Sequence, residues 1–191
     1  MANLYYLMAS LPAIAVTDEQ PRISYQDFLK QAHGAIGLPE YERLTAFNLQ
    51  TIPVTLTSLG SLERKFWHWE IALRNELTLL RAKAFGVKPD AYLHKEVQVD
   101  SSDIKRIALQ AFEESDPLQV ELELNKGRWA LLEAERPLDY FGITSLLIYS
   151  MQLQLITRRG LFNKELGEQN YQQAYELILG EAKTVLMENI R

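Results

Sequence analysis

From Ser61 to Gly86 the chain reads SLERKFWHWEIALRNELTLLRAKAFG, without proline and without glycine before its last residue. No other stretch carries so long a helical pattern. Leu62, Phe66, Trp69, Leu73, Leu77, Leu80 and Ala84 recur at three- and four-residue intervals. At helical pitch they fall in a stripe roughly 80° wide, as a core-facing helix requires. Ser61 is placed to cap its start and Gly86 to end it in a left-handed turn. Whatever the chain folds into must pack around this helix.

Beside the stripe, rather than opposite it, lie Glu63, Glu70, Arg74 and Arg81. Beyond them come Trp67, Ile71 and Thr78. A charged seam with apolar residues on both flanks is expected to be covered by a neighbour, not by open water. Glu70 and Arg74 stand four apart in the favourable order, worth about 0.2–0.5 kcal/mol if exposed. Arg81 has Leu77 and Thr78 at the positions one turn back, so it is expected to reach an acid on another segment, with residues 118–135 as the source. Phe66 and Trp69 share the core stripe. Trp67 lies about 160° from Trp69 and must cover a second surface, formed either by another helix of this chain or by a partner protein, where Trp is favoured as an anchor. His68, on the more polar side, reads as a surface or partner-facing residue.

A chain of 191 residues with 47% hydrophobic and 24% charged side chains can bury a core as a single helical unit, 1–191. Two lobes are expected within it, 1–60 together with 137–191, and 61–136. There is no cysteine, which removes disulfides, thiolate nucleophiles and Cys-based metal sites. The net charge of −5 is spread out, with no Lys/Arg cluster of the kind a nucleic-acid surface needs. No run reaches the 18 or more apolar residues of a membrane span. The opening MANLYYLMASLPAIAV mimics a cleavage site at Ala13-Ile14-Ala15, but it lacks a basic residue ahead of the apolar run, so a buried first segment is expected instead of a signal peptide.

The first segment runs to Leu11-Pro12. Ser24, three residues before Asp27, opens a short helix ending near Gly34. Leu38-Pro39-Glu40 opens another, and 51–60 is a connector. After Gly86 comes a polar loop with a brief extended piece at Val97 to Val99. Ser102 or Asp103 then caps a helix through Ile104 to Phe112. Asp116-Pro117 restarts the chain. From Leu118 to Leu124 apolar and polar residues alternate strictly, a strand signature; the Asp-Pro start and the Leu, Glu and Gln content favour helix, and Gly127 weakens it. After Pro137, ITSLLIYSMQLQLI is apolar on nearly every side and reads as the core helix of its lobe, closing at Arg158-Arg159-Gly160. A last helix is expected from Glu168 towards Asn189. The sum is all-α, an irregular bundle of about seven or eight helices.

Chemistry is sparse. His33, His68 and His94 fit no ligand spacing, and no phosphate-cradling glycine loop or GxSxG serine occurs. The acids Asp18-Glu19, Glu113-Glu114 and Glu121/Glu123 read as solvated faces. No catalytic residue, cofactor, metal or small-molecule substrate is expected.

Several stretches carry a resemblance. Asn3-Leu-Tyr-Tyr-Leu-Met-Ala-Ser-Leu-Pro12, followed by Ile23-Ser24-Tyr25-Gln26-Asp27-Phe28-Leu29, resembles the start of an uncharacterised bacterial family, DUF2764, whose genes in several bacteria lie among those for V-type (A/V-type) ATPase subunits. Trp67-x-Trp69-Glu70-x-x-Leu73-Arg74-Asn75-x-Leu77 through Arg81-Ala82-Lys83-Ala84 is similar to a helix of the C/d family of subunits in those rotary ATPases, and Tyr149 to Arg158 is similar to helices that recur in the same family. The resemblance implies an all-helical, non-catalytic socket in a peripheral, cytoplasmic position at the inner membrane, taking part in hydrogen ion transport by coupling the central shaft to the membrane rotor ring. It implies contacts with those two parts of the machine and no cofactor. The other reading of the same features is a helical adaptor or regulator outside the rotor.

Overall fold

The computed structural model describes residues 2–49, 51–94, 97, 99, 101–162, 167 and 172–175. Among the described residues it is all-α, with no strand: its helices are α1 (Ala2–Ser10), α2 (Tyr25–His33), α3 (Leu38–Ala46), α4 (Ser61–Phe85), α5 (Ser102–Glu113), α6 (Pro117–Ala134) and α7 (Ile143–Gly160), and 172–175 are helical as well. Residues 1–159 form one compact unit, and 160–191 group as a second. The helix expected from Glu168 to Asn189 lies largely outside the described residues, as does the centre of the extended piece expected at Val97 to Val99.

Local chemistry sets the helix ends. Ser24 Oγ accepts the Asp27 N–H at 3.0 Å and donates to the Asp27 carboxylate at 2.7 Å, closing the start of α2. Asp116 Oδ1 accepts the Leu118 N–H at 2.9 Å, and Pro117 fills the first position of α6, where a missing N–H costs nothing. That start decides the ambiguous 118–124 stretch for helix. Gly127, which argued against it, sits where α6 is crossed closely: a Cβ there would meet Ile107 at 3.0 Å and Trp69 at 3.1 Å. At Gly86 the backbone turns left-handed, φ 67°, and its N–H and that of Val87 close on the last carbonyls of α4. Two caps differ from expectation. Gly60, not Ser61, caps α4, and Ser101, not Ser102 or Asp103, caps α5; neither cap makes a side-chain hydrogen bond.

Two hydrophobic cores result. The larger joins Leu7 of α1, Phe28 of α2, Leu44 of α3, Phe66 and Trp67 of α4, Leu132 of α6 and the length of α7. The smaller joins Leu73 and Leu77 of α4, Ile104 and Ala108 of α5, and Leu124 of α6. The lobe boundaries expected from the sequence therefore differ from the observed division. Both α4 and α6 belong to both cores, and the segment from Gly160 onward groups as a unit of its own.

In α7 the chain is buried without interruption from Ser145 to Leu153, and its polar side chains anchor loops rather than meet water. Ser145 donates to the Asp139 carbonyl at 2.7 Å. Gln154 donates to Tyr25 Oη and to the Phe47 carbonyl while accepting the Leu49 N–H. Burial pushes the Tyr149 hydroxyl up to about 12, and it donates to the Pro12 carbonyl at 3.0 Å. Each of these polar groups thus finds a partner, as a close-packed interior requires. No helix among the described residues is long and apolar enough to cross a membrane.

Candidate functional site

The charged seam of α4 is split into two ion-pair sites. Near the helix start, Glu63, 3% exposed, takes a forked contact from Arg43 of α3, with Nη2 to Oε2 at 2.6 Å. This contact holds the Arg43 guanidinium above its ordinary value, an effect that outweighs its partial burial. Gly60 makes room for the fork: a Cβ there would run into Arg43 Nη2 and Glu63 Oε2.

Two turns on, Glu70 is 1% exposed and accepts three hydrogen bonds. Arg74 Nε donates at 2.8 Å from its own helix, and Arg128 of α6 donates through Nε at 2.9 Å and Nη2 at 3.0 Å. Arg128 is itself buried. Its Nη1 donates to Glu121 at 2.9 Å and to Asn125 Oδ1 at 2.8 Å, and Arg158 of α7 meets Glu121 at 3.2 Å. The cluster ties α4, α6 and α7 together. Burial by itself would raise the Glu70 carboxyl, but the attraction and hydrogen bonds of Arg128, then those of Arg74, outweigh it and leave it below its ordinary value. Burial likewise opposes the Arg128 charge, and Glu70 and Glu121 overcome it.

This chemistry is structural. A carboxylate saturated by guanidinium donors has no proton to give and little basicity to offer. Because Glu70 binds a proton less readily folded than unfolded, its contribution is complete above the ordinary carboxylate value of 4.5 and is lost as pH falls through the lowered folded value. In an acid titration followed by circular dichroism, E70Q is expected to lose stability less steeply than the parent as pH falls from 4.5 to the lowered folded value. An identical slope in the two proteins would remove Glu70 from the acid response.

Of the residues singled out from the sequence, Glu63, Glu70 and Arg74 are in these two sites. Arg81 is not. It is exposed and has no partner among the described residues; the helix from 117 does supply the locking residue, but as Arg128 reaching Glu70 rather than as an acid reaching Arg81. The seam loses its cover beyond Thr78, where Leu79, Arg81, Lys83 and Ala84 are exposed. Trp67, placed as a partner-facing candidate, is 2% exposed and packs inside this chain, 5.9 Å from the Phe47 ring and edge-on to Phe66 at 5.7 Å. The Phe47 it meets lies just past the end of α3, three residues on from the buried Leu44. His68 is half-buried. Glu121 is not on a solvated face, whereas Glu113 and Glu114 are exposed.

Beside Trp67 a cavity of about 510 Å³ opens between α3, the 51–60 connector and the start of α4, with Phe47, Pro53 and Leu59 on its walls and the Arg43–Glu63 pair at its edge. Among the described residues no group of His, Asp and Glu could hold a metal ion. No protein-family model, curated protein or solved structure matches this chain.

Proposed function

We propose that this chain is a non-catalytic subunit of a V-type rotary ATPase, a coupler of the C/d kind between the central shaft and the membrane rotor ring. The reading rests on the sequence resemblance, and one observation supports it above the others. The helix that carries the resemblance, α4, is an element both cores share, and the Glu70–Arg128 cluster fixes it to α6 and α7. A part that transmits torque needs such a spine. It also needs surfaces for partners. Tyr5, Tyr6, Leu138, Tyr140 and Phe141 stand exposed, with the Tyr5 and Phe141 rings 4.5 Å apart, and an exposed apolar patch of this sort suits protein contact.

The chain is expected to co-purify with the ATPase from native membranes, at the cytoplasmic face of the inner membrane, and to cross-link to the shaft and the ring. Its absence from an otherwise intact complex would overturn the assignment. Cross-links confined to the soluble head or the peripheral stalk would replace it with the adaptor reading, for which the same aromatic patch would be the docking surface.

A further inference from the structure

A second, smaller cavity of about 150 Å³ lies where the turn at Val16 and Thr17 meets α6 and α7. Leu122 and Trp129 of α6 and Ile156 of α7 give it apolar walls. Both charged residues on its lining are basic, Lys126 and Arg159. Lys126 is paired with Glu123 at the rim. Arg159 donates one Nη1 hydrogen bond to the Val16 carbonyl at 3.1 Å and meets no carboxylate among the described residues. The acid next along the chain, Asp18, accepts the Ala15 N–H instead.

A buried amide completes the polar end. Asn125 is 5% exposed and lines the same cavity. Its Oδ1 is held by Arg128, so its amide N–H groups point away from that guanidinium and have no partner among the described residues. Among those residues no fully buried side-chain nitrogen or oxygen is left unpaired, so this amide keeps a small exposed surface, on a residue that lines the cavity. Behind it, Arg74, Arg128 and Arg158 face Glu70 and Glu121, three positive charges against two negative. The surroundings therefore favour a negative charge at one end and an apolar body at the other. An apolar cavity of roughly this size takes up benzene.

We propose that this cavity binds a small monocarboxylate about the size of benzoate. Its apolar body lies against Trp129 and Leu122, and its carboxylate accepts hydrogen bonds from Arg159 and the Asn125 amide. The site does not depend on the rotary-ATPase reading and stands or falls separately from it.

The test is titration of the full chain with sodium benzoate, followed by tryptophan fluorescence and backbone amide shifts, with benzyl alcohol and benzylamine as probes of matched size without the negative charge. Benzoate is expected to saturate, with shifts centred on residues 16–17, 122–129 and 155–159. Loss of a charge-assisted contact corresponds to about tenfold or more in affinity, so benzyl alcohol should bind at least that much more weakly and Arg159→Gln should weaken benzoate to the same degree. Lys126→Gln, at an exposed rim position, keeps the decision open should R159Q not fold, and is expected to weaken benzoate measurably. No saturation below about 10 mM benzoate, equal binding of benzyl alcohol, or unchanged affinity in both variants would each overturn the proposal.

Discussion

Arg128→Ala is expected to destabilise the chain by about 3–5 kcal/mol, the range for removing one partner from a buried ion pair, as read from the midpoint of a urea unfolding curve. The reason is the company Arg128 keeps. Its guanidinium serves Glu70, Glu121 and Asn125 together, so its loss leaves a 1%-exposed carboxylate with Arg74 as its remaining donor. Desolvation of Glu70 would then no longer be offset, and the carboxyl would rise or draw water into the core. A paired replacement with apolar residues of similar volume, Glu70→Leu with Arg128→Met, is expected to recover much of the loss, because it removes the buried charge together with its partner. If the single and paired variants unfold at the same midpoint, the cluster does not act through charge, and packing of the Arg128 stem explains its effect.

Trp67→Ala is the second large effect, about 3–5 kcal/mol for truncating a fully buried tryptophan. Trp67 closes the larger core against Phe47 and Phe66 and walls the 510 Å³ cavity. Truncation would enlarge that opening rather than leave a sealed void, so water can enter and the loss is expected near the lower end of the range. The measurement is again the unfolding midpoint of the isolated chain. It also separates the two roles open to this residue in the sequence. A partner anchor would leave the isolated chain as stable as before and weaken only the complex.

What the sequence discloses follows from how far apart the interacting residues lie. Helices closed by their own neighbours were legible: Ser24 with Asp27, Asp116 with Pro117, and Gly86 each act within one turn. The burial of α7 was legible because its pattern is apolar on nearly every side. The partner of Glu70 was not. Arg128 lies 58 residues away, and nothing local distinguishes it from the other arginines. The available signal was on α6 itself: Glu121, Asn125 and Arg128 repeat at helical spacing on a helix with apolar residues on two sides, and a polar stripe enclosed in that way must be paired. The same limit explains Trp67, whose helical position specified a second surface but not that residues 47–60 would return to provide it. It also explains Arg81, since the seam continues in sequence past the point where α6 stops covering it.

Threading two cores on the same pair of helices has a consequence for how such a chain can be inherited. A protein assembled from separable lobes can lose one, duplicate one or exchange one and keep the other intact. Here either excision would remove a wall from the half that remained, because α4 and α6 supply apolar side chains to both. Residues 1–159 are therefore a single heritable block, open to change at its exposed rims and loops but not to being cut and rejoined.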